Sequence, residues 1–182
     1  MRYFDYTASI FTRIRILNIL KNDFLSVIKD VIRDHEDYEG FPVPNTSSLK
    51  LMLIYKQYLD TIYNIMENVS RFNCFYLQKD MSQNFTEQCK KNKENKYSIP
   101  ERYRNIIKWD LEWYQEVHLI RSNMNHFLIG DYDVKRTEKG QWIFKYENIN
   151  KSKRGPHVDK THSIERNMLE DIEEFQNSFF NF

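Results

Sequence analysis

Apolar residues recur at spacings of three and four along most of the chain, and the places where the rhythm stops divide it into helical segments. The first stripe, Ile10, Ile14, Leu17, Leu20, Phe24, Val27 and Val31, predicts a helix from about Thr7 to Asp34. "EGFPVPNTSS" interrupts it with one glycine and two prolines, and Ser47 or Ser48 is placed to cap a second helix. That helix runs to about Leu77, with Leu49, Met52, Tyr55, Leu59, Ile62, Met66, Val69 and Phe72 along one side. The two should pair as an antiparallel hairpin. "KDMSQNFTEQCKKNKENKYS" follows, polar and weakly periodic, and reads as a loop or a short, loosely packed helix.

Pro100 suits the first turn of a third helix, which Gly130 closes. Its buried face carries Tyr103, Ile106, Trp113, Val117, Ile120, Met124 and Phe127. A flanking line, Ile107, Leu111, Tyr114, His118, Arg121 and Asn125, starts apolar and ends polar. Such a flank is half-buried, with its polar end at a cleft or a partner. "DYDVKRTEKGQWIFKYEN" alternates like a β-hairpin around a glycine turn, with Tyr132 and Val134 against Trp142, Phe144 and Tyr146. Ser163 caps a last helix with Met168, Ile172, Phe175 and Phe179 inside and Glu165 favouring its first turn. The expected fold is all-α: residues 1–182 as one antiparallel four-helix bundle, with a small β-hairpin between the third and fourth helices.

Composition supports this reading. Among 182 residues, 41% are hydrophobic, and 4 glycines and 4 prolines are too few for a turn-rich sheet protein. The longest apolar runs fall short of a membrane span, and "MRYFDYTASIF" lacks the apolar core and cleavage site of a signal peptide, so no membrane partner and a cytoplasmic location are expected. Cys74 and Cys89 lack metal-ribbon or redox spacing and read as reduced thiols. The net charge of +1 sets up no global field for nucleic acid. Lysines and arginines nevertheless gather over 90–108 and at Lys151, Lys153 and Arg154, where a phosphate backbone could follow them, while acidic residues collect on the last helix.

Chemistry-bearing motifs are few. No phosphate-binding glycine loop, zinc-protease helix or nucleophile elbow occurs. His157, Asp159 and His162 in "HVDKTH" have a spacing that could hold a metal but lack a fourth ligand nearby, so no metal or other cofactor is expected. His35 suits a helix C-terminus. Arg121 and His126, in "RSNMNH", stand at the polar end of the half-buried flank. Five helical steps leave the two side chains about 140° apart, so one straight helix cannot bring them together.

The "RSNMNH" segment, on a predicted helical bundle, resembles the R-x(4–6)-H motif of the HEPN family (higher eukaryotes and prokaryotes nucleotide-binding domains). The resemblance implies a helical homodimer acting as a metal-independent endoribonuclease of toxin–antitoxin or anti-phage defence systems. Arg121 and His126 would then be the catalytic pair, in a cleft that two subunits build together. Ser122 stands where the family often has Asn, Asp or His, and Leu128 where some members carry a modifiable tyrosine. Ser122, Asn123, Asn125 and His118 are candidates for positioning the substrate. RNA and an antitoxin or effector protein are the implied partners. The other reading of the residues is a non-catalytic bundle, serving dimerisation or nucleic-acid binding, in which Arg121 pairs with a carboxylate and His126 caps the helix.

Overall fold

The computed structural model describes residues 3–37, 46–77, 80–106, 112–126, 131–147 and 165–181. Among them the chain is mostly helical, with six helices and one small sheet. The elements are α1 (Tyr3–Asp37), α2 (Thr46–Tyr76), α3 (Phe85–Lys93), α4 (Glu101–Ile106), α5 (Glu112–His126), β1 (Asp131–Arg136), β2 (Trp142–Glu147), β3 (Glu165–Asn167) and α6 (Met168–Asn181).

The α1 stripe packs as its spacing requires: Leu17, Phe24 and Val31 are fully buried against α2. Asn68 Nδ2, late in α2, donates to Ser9 Oγ, early in α1, at 3.2 Å, so the two helices run antiparallel. α2 itself is the central helix. Beyond the predicted face, Leu51, Tyr58 and Ile65 are also buried, because α1, α3, α5 and α6 all pack around it. Leu49, placed on the inner face by spacing, is instead 43% exposed at the helix start. α2 begins at Thr46, so Ser47 and Ser48 lie inside its first turn, and Ser48 is buried.

The segment after α2 is more ordered than its polarity suggests. Asn84 caps α3, its side chain accepting from Glu87 N at 2.9 Å. Glu67 of α2 accepts from Phe85 N at 3.2 Å and Asn84 Nδ2 at 3.3 Å. Buried Gln88 donates to the carbonyls of Ser70 at 2.8 Å and Ser82 at 2.6 Å. Asn73 of α2 donates to Tyr103 of α4 and, at 3.4 Å, to Gln88. Polar side chains carry much of this interface, and hydrophobic spacing is blind to them.

Two expectations near the C-terminus are corrected. The sheet has three strands in the order β1-β2-β3, both pairings antiparallel. The hairpin itself holds: Val134 pairs with Phe144, both buried, and Gly140 takes φ +79° in the turn, a conformation that favours glycine. Residues 165–167, however, join β2 as a third strand, so the last helix starts at Met168 and Glu165 lies outside it. Nor is Asp171 part of an outer acidic face. It is 3% exposed, because Arg166 on β3 donates to both its carboxylate oxygens through Nε, at 2.9 and 2.8 Å. Arg166 also donates to Glu116 of α5, and Tyr55 of α2 donates to Asp171 at 2.5 Å. Burial alone would lower the Arg166 pKa, but the two carboxylates outweigh it and hold the guanidinium firmly protonated. The third strand thus delivers a cation that ties α2, α5 and α6 together.

Candidate functional site

α5 continues unbroken from Glu112 to His126, so Arg121 and His126 diverge around one helix, as their spacing requires. The flank read from sequence grades as expected: Tyr114 is 1% exposed, His118, Arg121 and Ser122 are half-buried, and Asn125 is exposed. The side chains of Asn123 and His126, all of Lys151, Lys153 and Arg154, and the His157–Asp159–His162 loop lie outside the described residues.

What the flank faces is a matching stripe on α2. Lys56, Asp60, Tyr63 and Glu67 are spaced by four, three and four, as are Tyr114, His118, Arg121 and Asn125 on α5. The two stripes meet in reverse order. Asp60 Oδ1 accepts from Arg121 Nε at 2.7 Å and from Asn125 Nδ2 at 3.4 Å, and Asp60 Oδ2 accepts from Lys56 Nζ at 3.0 Å. The Arg121 guanidinium lies 3.9 Å from the centre of the Tyr63 ring. The His118 ring sits 5.4 Å from the same tyrosine, and Tyr63 stacks on Tyr114 at 6.3 Å. At the inner end the Tyr114 hydroxyl donates to Glu67 at 3.5 Å.

Arg121 is therefore held from two sides, by a carboxylate at Nε and an aromatic face beneath. Among the described residues neither of its Nη nitrogens makes a hydrogen bond. The side chains of Arg121 and Asp60 each keep 26% of their surface exposed. The carboxylate and the ring orient the guanidinium plane, whose two Nη nitrogens form a donor pair that a phosphate can take up.

Electrostatics follow from the packing. Burial pushes the Asp60 carboxyl upward, but Lys56, Arg121 and Asn125 outweigh it and hold it below the usual carboxylate range. Burial, then the neighbouring Arg121 charge, push His118 below the ordinary imidazole value, against a smaller upward pull from Glu67. Its neutral form is favoured near pH 7.

Asp60 and Tyr63 were not identifiable from sequence. Their only local trace is the i,i+4 pair with Lys56, which reads equally well as helix-surface decoration. The remaining candidates are simpler. His35 Nδ1 donates to Val31 O at 2.9 Å at the end of α1. Cys74 and Cys89 are unpaired, and burial pushes the Cys89 thiol up to about 12. Among the described residues no group of three His, Cys, Asp or Glu could hold a metal, and no helix is long and apolar enough to cross a membrane.

No protein-family model, curated protein or solved structure matches the chain. The α2–α5 stripe therefore has to be interpreted from its own chemistry.

Proposed function

We propose that this chain is a metal-independent endoribonuclease of HEPN type, an antiparallel four-helix bundle that works as a cytoplasmic homodimer in toxin or anti-phage defence. The observation that carries the reading is the held guanidinium of Arg121, oriented by Asp60 and Tyr63 with neither Nη nitrogen hydrogen-bonded among the described residues. An arginine fixed in this way binds a phosphodiester without spending freedom at the moment of reaction.

In the proposed reaction Arg121 takes the scissile phosphate and offsets the charge that builds as the 2′-oxygen attacks. His126 transfers a proton, and the two-fold mate supplies the convergence that one helix lacks. The attack forms a 2′-O–P bond and breaks the bond to the 5′-oxygen, leaving a 2′,3′-cyclic phosphate and a 5′-hydroxyl. Asn125 and Ser122, near Arg121 on α5, would steady the phosphate. Lys151, Lys153 and Arg154 would follow the RNA backbone.

A second reading has its own observation. Asp60 already neutralises Arg121, as an ion pair that merely joins α2 to α5 would. The chain would then be a non-catalytic dimerisation or nucleic-acid-binding module.

Incubating the protein with a mixed RNA pool in EDTA separates the two. The nuclease reading expects cleavage at an undiminished rate, with cyclic phosphate and 5′-hydroxyl ends. Intact RNA, or ends that require added metal, contradicts it. The composite cleft further requires a dimer in light scattering at micromolar concentration, and a monomer there removes its basis.

A further inference from the structure

His118 shares the surroundings of Arg121. Three helical steps separate His118 from Arg121, so on the unbroken α5 the two lie about 60° apart, with Cβ atoms roughly 5–6 Å from each other. Both side chains rest against one residue of the facing helix. The Arg121 guanidinium is 3.9 Å from the Tyr63 ring centre, and the His118 imidazole is 5.4 Å from it. His118 is half-buried, with Tyr114 behind it at 6.5 Å between ring centres. The imidazole thus lies beside the stacked pair of Tyr63 and Tyr114 and next to a held cation.

We infer that His118 is the general base of the nuclease reaction, accepting the 2′-hydroxyl proton of the nucleotide whose phosphate sits on Arg121. This rests on the ribonuclease reading. The proton moves from the 2′-oxygen to the His118 imidazole as the 2′-O–P bond forms. The P–O5′ bond breaks, and the leaving oxygen takes a proton from His126, the acid of the pair. Exchange with water then restores neutral His118 and protonated His126.

The surroundings suit the assignment. The charged and titratable groups facing His118 are Arg121 and Tyr114 on its own helix and Tyr63 and Glu67 on α2. Both tyrosines are pushed above their usual range and stay neutral, chiefly by burial. Arg121 opposes the imidazolium more than Glu67 supports it, so a vacant base is available near pH 7. His118 and His126 then take the two ends of the reaction.

The test is the pH profile of single-turnover cleavage for the wild type, His118→Gln and His118→Asn, beside His126→Ala. The wild-type rate should fall on the acid side, with a midpoint below about 6.5. Either His118 variant, once a thermal melt shows it folded, should lose about a hundredfold in rate and lose that acid limb. A wild-type profile flat from pH 5 to 7 overturns the inference. So does a folded His118 variant that cuts like wild type while His126→Ala is dead, and in that case the nuclease reading survives. Wild-type protein that cuts no RNA at any pH ends both.

Discussion

Arg121→Ala and His126→Ala are each expected to slow RNA cleavage by at least about two orders of magnitude, the scale of a lost charge-stabilising or proton-transferring group. Neither should unfold the protein. Arg121 leaves behind a carboxylate that Lys56 and Asn125 still satisfy and that retains solvent access, so no buried charge is orphaned. Arg121→Lys is the informative intermediate. An ammonium keeps the charge but cannot donate to Asp60 through Nε while offering a parallel pair to phosphate. It should therefore recover only a small part of the rate. Single-turnover cleavage of a short RNA measures all three. Variants that are folded and cut at the wild-type rate would remove Arg121 and His126 from the chemistry.

The largest stability effect is expected at Arg166. Its guanidinium serves Asp171 and Glu116, and the Asp171 side chain is 5% exposed. Arg166→Ala leaves Asp171 buried with Tyr55 as its remaining partner from this network, and breaking a buried pair in this way costs about 3–5 kcal/mol. Urea unfolding should show a lower midpoint at nearly unchanged slope. A loss below about 1 kcal/mol, the scale of an exposed ion pair, would mean that the network does not hold α2, α5 and α6 together.

The two sites also show what could be read from the chain. Hydrophobic spacing located α1, α2 and the α5 core because burying a stripe leaves a period in the sequence, and it placed the inner positions Met168, Ile172 and Phe175 of α6 correctly. The polar turn of the α5 flank was legible for the same reason: Tyr114, His118, Arg121 and Asn125 grade from buried to exposed in the order their characters suggest. Its partners were not. Asp60 lies 61 positions from Arg121, and a single aspartate on a helix carries no sign of which distant cation it meets. α3 read as either a loop or a short, loosely packed helix because its inner face mixes apolar Phe85 and Cys89 with buried polar Gln88 and Asn92, which blurs the stripe. β3 escaped because three residues leave no alternation to detect, and Glu165 before an apolar run looked like a helix start. Nor did Asp171 carry a local sign of its burial, since Arg166, which neutralises it, lay in a segment read as helix.

In the proposed reaction the α2–α5 stripe holds Arg121 for a substrate phosphate rather than holding two helices together. A double-mutant cycle on Asp60 and Arg121, with cleavage rate and melting temperature measured on the same samples, tests it most directly. Arg121→Ala should carry nearly the whole rate loss, Asp60→Asn alone should cost less, and adding Asp60→Asn to Arg121→Ala should change the rate little. Melting temperatures should stay close across all four proteins. Strong coupling in the melting temperatures, with cleavage unchanged in every variant, would contradict it and leave the pair as a structural clasp.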